Sequence, residues 1–257
     1  MDIVDTHGHL GLSPSGNGHD TSEEQVLAAM AAEGVAATLV MPQALQPDER
    51  ATHDRVARFV ATHPGRIYGM ACISPLWDED AYFTEARRCV RDLGFVAIKL
   101  HPAAYNTAPT VQRAEKCFRA AAELDVPLIV HTGLGAPAAL PSLVISRAKQ
   151  FPNLAIVLAH AGFVAYADEA LVVAETCPNV YLEPSWCQYY QARHMAETIG
   201  SERMLMGSDH PANLAVELAK WRATSLPEHD LANALGRTAR RLFRLPAAGQ
   251  KHAEEHT

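Results

Sequence analysis

The residues Asp5-Thr6-His7-Gly8-His9 follow directly on the apolar start Met1 to Val4. In an extended strand, side chains two apart point the same way. His7 and His9 would therefore project together from a strand end, with Asp5 below them on the same face. Two imidazoles converging from one rigid backbone supply half of a zinc-type site, provided that other elements bring the rest. Alone the pattern is weak in a chain with 13 histidines. It gains weight only if more ligands stand at comparable strand ends downstream.

Such groups recur. Lys99 and His101 close one apolar run, His131 the next, His160 the one after, Glu183 a fourth, and Asp209 follows a fifth. The bodies of these runs are apolar while their ends carry metal-binding or titratable side chains. A single histidine at such a place is usually a satisfied polar residue; the recurrence is what separates a site from chance.

The elements that must position these groups read as one repeated unit of apolar strand, polar loop, amphipathic helix and Gly or Pro-Asn turn. Strands are expected over 3–6, 37–41, 68–73, 95–100, 127–130, 154–159, 180–183 and 204–207. Ser22 with Gln25 three residues on is a capping box for a helix that stops at Gly34, and Thr110 is expected to cap another running to Leu124. From 212 to 245 the chain reads as helical. Strands alternating with helices require parallel pairing through crossovers, and strands apolar throughout are buried on both faces. Eight units are the number that closes a (β/α)8 barrel, whose active site lies at the C-terminal ends of the strands. An open doubly wound sheet competes, but no G-x-G-x-x-G fingerprint follows the first strand. One domain is expected over 1–245, with a polar tail over 246–257 and a mobile loop over 11–20.

The same segments carry a family resemblance. DTHGHL, AIKLHP, PLIVHTG, VLAHAGF and MLMGSDHP resemble signature segments of the amidohydrolase superfamily. They are most similar to its amidohydrolase-related branch, which includes decarboxylases of the aminocarboxymuconate-semialdehyde type and small lactonases. The resemblance implies a (β/α)8 barrel holding one or two divalent metals. It makes His7, His9, His131 and Asp209 metal ligands, and His160 either a second-metal ligand or a catalytic group that polarises the substrate. Lys99 stands at the strand-four ligand position. Three readings stay open for it: a carboxylated ligand bridging two metals, a cationic substrate anchor, or a buried structural lysine.

Three imidazoles and a carboxylate suit Zn2+ first, with Mn2+ second. A bound metal lowers the pKa of its water to about 7. Asp209 can take that water's proton and pass it to a leaving group, which makes Asp209 and His160 the expected catalytic pair. Lys99, His101, Tyr105, Glu183, Trp186 and His210 are the expected substrate-binding residues. Trp77, Tyr105, Phe163, Tyr166, Trp186, Tyr189 and Tyr190 fall in the loops after the strands. Multiply anionic substrates usually need an arginine clamp, and Arg50 is the one arginine found among those loops.

The first expectation is hydrolysis of a small cyclic or aromatic amide, lactone or ester by a metal-activated water. The alternative is non-oxidative decarboxylation of a small carboxylic acid on the same cradle. Compactness, with no long insertions, tips the balance towards hydrolysis, and a non-catalytic binding barrel comes third. The net charge of −7 argues against nucleic acid and acidic membranes as partners. No apolar stretch reaches membrane-spanning length, so a cytoplasmic location is expected, with a homodimer left open. Five scattered cysteines without a C-x-x-C pair suit reduced thiols rather than a disulfide framework or a catalytic cysteine. His53, His63, His194 and His229, with His19, His252 and His256, are expected at the surface.

Overall fold

Seven of the apolar segments form β-strands that run parallel in chain order, as strands joined by crossover helices must. They are β1 (Val4–Leu10), β2 (Ala37–Pro42), β3 (Ile67–Cys72), β4 (Ala97–Leu100), β5 (Leu128–His131), β6 (Ile156–Ala159) and β7 (Val180–Glu183). Each pairs with the next, giving a sheet in the order β1 to β7. This computed structural model describes residues 1–14 and 20–247. Most of the expected tail, half of the expected mobile loop, and His19, His252 and His256 lie outside the described residues.

Helices follow the strands: α1 (Glu23–Glu33), α2 (Glu49–Thr62), α3 (Glu79–Arg87), α4 (Pro102–Tyr105), α5 (Gln112–Glu123), α6 (Ile145–Gln150), α7 (Phe163–Thr176) and α8 (Tyr189–Ile199). After the last strand segment come α9 (Leu214–Ala223), α10 (Glu228–Ala232) and α11 (Thr238–Leu242). The capping box of α1 forms as expected, with Gln25 N donating to Ser22 Oγ and Ser22 N to Gln25 Oε1. Thr110 does not cap α5. Val111 takes the N-cap position without a side-chain bond. The carbonyls of Pro109 and Val111 accept instead from the buried Arg147 guanidinium.

The expected eighth strand does not form a ladder. It joins by single bridges, Met204 to Leu182 and Asp209 to Gly8. Its hydrogen bonds run to both neighbours: Leu205 N donates to Leu182 O at 2.9 Å, and Thr6 N to Met206 O at 2.9 Å. The sheet is thus a curled one whose first and last members both contact the same segment.

The inward face explains the placement of the site. Val4, Leu39, Met70, Ala97, Ile129, Val157 and Leu205 form one buried cluster with Phe243 and Leu245 from the chain end after α11. Two residues further along three of these strand segments, on the same face, come Lys99, His131 and Gly207, and Glu183 stands two beyond Tyr181, which packs against the cluster. A dry apolar layer therefore supports a layer of chemical groups. A second, larger cluster fills the space between sheet and helices.

One histidine departs from expectation. His53 on α2 is fully buried rather than at the surface. Its Nδ1 lies 2.8 Å from Glu85 Oε1, and its Nε2 accepts from Cys72 N at 3.1 Å. Glu85 also accepts from Arg88 Nε and Nη2. The imidazole is the one bridge that a helix can extend both to an acid on α3 and to a free N–H at the end of β3.

Burial alone would raise the Glu85 carboxyl, but its bonds to His53 and Arg88 outweigh this and hold it at about 2. A carboxyl with a lowered folded pKa stabilises above its unfolded value, and that stability is lost as pH falls towards about 2. Glu85→Gln should therefore cost about 1–3 kcal/mol at neutral pH in urea unfolding, and the deficit should shrink as the pH is lowered below 4. A deficit that stays constant with pH would contradict this.

Candidate active site

The strand ends bring most of the expected residues together. β1 carries His7 and His9 but does not keep strict alternation. Asp5 pairs with Thr38 and Gly8 with Val40, so three steps on β1 match two on β2. From its expected place below the imidazoles Asp5 would be a candidate acceptor to orient one of them, but beside this bulge it has a different task. Its Oδ1 accepts from His7 N at 3.1 Å and Ser208 N at 2.9 Å, and its Oδ2 accepts from Ser208 Oγ at 2.6 Å. The carboxylate ties β1 to the eighth segment, and burial pushes its pKa up to about 7.

The imidazole is oriented by Glu183 instead. Glu183 Oε2 lies 2.8 Å from His7 Nδ1, with both groups 1% exposed. The same oxygen accepts from Ser185 Oγ at 3.0 Å and His160 N at 3.3 Å, and Oε1 accepts from Ser185 N at 2.7 Å. With its oxygens engaged by protein donors, Glu183 supports the site rather than facing a substrate. Gly207 makes this possible. A Cβ there would stand 2.7 Å from Glu183 Cδ and 2.7 Å from His7 Cβ.

Asp209, held in the left-handed region at φ 65°, turns its carboxylate back over the imidazoles. Its Oδ1 is 3.5 Å from His7 Nε2 and 3.4 Å from His9 Nε2. Its Oδ2 accepts from Trp186 Nε1 at 3.0 Å. Trp186 is itself left-handed at φ 65° and is held by its N–H, which donates to Glu217 Oε1 at 2.9 Å. His160 opens a run of four positive φ angles, His160 to Phe163, that turns the chain sharply above β6. The ring centroids of His160 and His7 are 4.7 Å apart, and those of His160 and His131 are 4.8 Å apart. His101 stacks on His131 at 4.0 Å, and Phe163 lies 4.5 Å from His160. Lys99 Nζ, on a residue 1% exposed, is 3.0 Å from His7 Nε2.

Two expected residues do other work. Tyr105 is buried outside this group, donating to Glu49 Oε1 and accepting from Leu45 N, so it fixes the loop after β2. His210 Nδ1 accepts from Ala212 N and starts the turn that follows. Ser185 and Glu217 were not visible as site residues in the sequence. Each acts through a contact of 25 or 31 residues in separation. A cavity of about 630 Å³ opens at the N-terminal ends of β5 and β6, and none of these groups lines it.

The electrostatics suit a cation. Burial pushes His7, His101 and His131 well below the usual histidine range and His160 down to about 3. Neutral rings keep a lone pair for a metal. Burial also lowers Lys99, to about 8. Ligand atoms of His7, His160 and Asp209 lie within 4.8 Å of one another. Among the described residues, His131 Nε2 and His9 Nδ1 are buried without a hydrogen-bond partner. A buried imidazole nitrogen left bare is costly unless something binds it, and a divalent cation fits this donor set.

The amidohydrolase family model Amidohydro_2 matches residues 4–245. The chain belongs to that family. No curated protein matches by sequence. Among solved structures, 2,6-dihydroxybenzoate decarboxylase from Rhizobium is similar at 21% identity and TM-score 0.74, over 95% of this chain and 99% of that one. 5-Carboxyvanillate decarboxylase from Novosphingobium aromaticivorans, complexed with manganese and 4-hydroxy-3-methoxy-5-nitrobenzoic acid, is similar at 16% identity and TM-score 0.78, over 95% and 96%. A TIM-barrel protein from Bordetella bronchiseptica is similar at 17% identity and TM-score 0.76, over 97% and 100%. At these identities the likeness speaks to the fold. It also removes compactness as an argument for hydrolysis, because the alignments span nearly the full decarboxylase chains. Among the described residues no helix is long and apolar enough to cross a membrane.

Gly207→Ala tests whether the His7–Glu183 contact makes the site. The added methyl must displace one of the two, so affinity for Mn2+ should fall by about 10–100-fold in calorimetric titration, with the circular dichroism spectrum kept. Unchanged affinity would show that the contact is dispensable.

Proposed function

We propose that this family member is a closed (β/α)8 barrel and a divalent-metal-dependent enzyme that removes CO2, without redox chemistry, from a small aromatic carboxylic acid. The observation that carries the reading is a partly exposed carboxylate, Asp209 at 16% exposure, set among imidazoles and a single lysine. The activities of the similar decarboxylases support the reaction type, and the manganese in one of them supports a divalent cation over zinc in particular.

His7, His9, His131 and Asp209 would hold the metal, with His160 beside them. When bound, it supplies positive charge that draws electron density from the substrate's oxygens. The rest falls to the chain's own groups. Lys99 attracts the single negative charge of the acid from below. The stacked His101 and His131 rings, with Phe163, offer a flat wall to an aromatic ring. Asp209 takes a proton from the substrate's neighbouring hydroxyl or from solvent and returns it to the ring carbon as the C–C bond breaks. That bond's electron pair becomes the new C–H bond and CO2 leaves, so atoms and charge balance. The Trp186 indole holds Asp209 Oδ2, which leaves Oδ1 on the imidazole side. Hydrolysis, the first expectation from the sequence, would use Asp209 as proton acceptor for an attacking water.

Turnover of a panel of hydroxybenzoic acids in deuterated, 18O-enriched water separates the two reactions. Decarboxylation puts one deuterium on the ring and no 18O in the aromatic product, with CO2 released; hydrolysis puts 18O into the organic product. CO2 is the expected result, and Asp209→Asn should lower kcat by about 10²–10⁴-fold with KM little changed. An 18O-labelled product from an ester or lactone, with no CO2 from any acid, would reverse the assignment.

With Lys99 as anchor, metal analysis should find one metal per chain, and Lys99→Met should mainly raise KM. Two tightly held metals whose retention depends on bicarbonate would make Lys99 a carboxylated ligand instead.

A further inference from the structure

A neutral imidazole has one N–H and one lone pair. Which nitrogen carries which decides whether the ring can face a cation. Around Glu183 that choice is over-determined. His7 Nδ1 lies 2.8 Å from Glu183 Oε2, a carboxylate oxygen that accepts, so this nitrogen carries the hydrogen. The other nitrogen, Nε2, lies 3.0 Å from Lys99 Nζ, an ammonium that donates, so it carries the lone pair. The two contacts agree, and Asp209 Oδ1, an acceptor near Nε2, lies farther off at 3.5 Å than the Lys99 donor.

Among the described residues no carboxylate hydrogen-bonds either ring nitrogen of His160, although an Asp209 oxygen lies within 4.8 Å of one of them. Its Nδ1 lies 2.7 Å from Ser185 Oγ, and that hydroxyl is also 3.0 Å from Glu183 Oε2. Serine has one hydroxyl hydrogen for these two neighbours. Glu183 Oε2 cannot donate, so the hydroxyl hydrogen goes to it, and Ser185 Oγ must accept from His160. The hydrogen on His160 is therefore on Nδ1, and Nε2 keeps the lone pair. Ser185 is held for this role by its own N–H to Glu183 Oε1 at 2.7 Å, and it is 1% exposed.

We propose that Glu183 sets the tautomers of two imidazoles at once, His7 directly and His160 through Ser185, so that both turn an Nε2 lone pair towards the same centre. Ser185 is then a positioning residue, invisible at the site itself. The use made of the two lone pairs rests on the metal-dependent reading above, whereas the tautomers can be read in metal-free protein.

The test is the 15N-histidine spectrum of the metal-free chain, with His7 and His160 assigned from His7→Asn and His160→Asn. Both rings should show a hydrogen on Nδ1. Ser185→Ala should release His160 to the other tautomer or a mixture and leave His7 as it was. Ser185→Thr, which keeps a hydroxyl, should keep both. Glu183→Gln should disturb both rings. Mn2+ affinity should fall about 10–100-fold in Ser185→Ala and be restored in Ser185→Thr. A hydrogen on Nε2 of His160 in the parent protein, or a His160 tautomer unmoved by Ser185→Ala, would overturn the proposal, and Ser185→Ala decides the matter even if Glu183→Gln does not fold. Failure to release CO2 with the tautomers as stated would sink the functional reading and leave this one supported.

Discussion

The buried carboxylate of Glu183 is the contact on which the site depends. An ionised acid at 1% exposure is tolerated only when donors surround it. Here the donors are His7 Nδ1, Ser185 Oγ and two backbone N–H groups. Each was drawn in to satisfy the acid, and each is thereby fixed. Stabilising a charge that cannot stay bare and aligning two rings are one event. The same economy applies at Asp5, whose three donors weld β1 to the segment at 208.

Charge in the layer above is balanced by burial rather than by pairing. The rings of His7, His101, His131 and His160 stay neutral because burial among the apolar layer and packed rings disfavours their charged forms. Asp209, partly exposed, and the buried Lys99 are then opposed charges beside His7 Nε2. Under the proposed reaction, a substrate with one negative charge would meet an ammonium and imidazole lone pairs rather than the arginine clamp of a phosphate site.

Much of this was legible in the sequence, and for a physical reason. Strand alternation is local, so Ala97 before Lys99 and Ile129 before His131 already placed a polar layer over an apolar one. Capping chemistry is equally local, and Ser22 with Gln25 behaved as read. What stayed hidden was whatever depends on distant contacts or on the sign of φ. The β1 bulge, which took Asp5 from the imidazoles, is not written in residue types. Trp186 and Asp209 reach each other only because both adopt left-handed backbone. His53 looked like a surface histidine because its two partners lie 32 and 19 residues away. Tyr105 sat in the right loop and faced the wrong way.

The joining of the sheet's two ends also sets when the site can exist. His7 and His9 come from the first strand, and Gly207 and Asp209 from a segment some 200 residues later, bonded to each other through Asp209 N and His7 O. A ribosome makes the first imidazoles early and the carboxylate last. Until residue 209 has left the exit tunnel, a growing chain holds unpaired histidines and an uncapped Asp5, with no cage to bring them together. Assembly of the site is therefore a late event in the life of the molecule, coupled to the joining of the first strand with the segment at 204–209 rather than to its start.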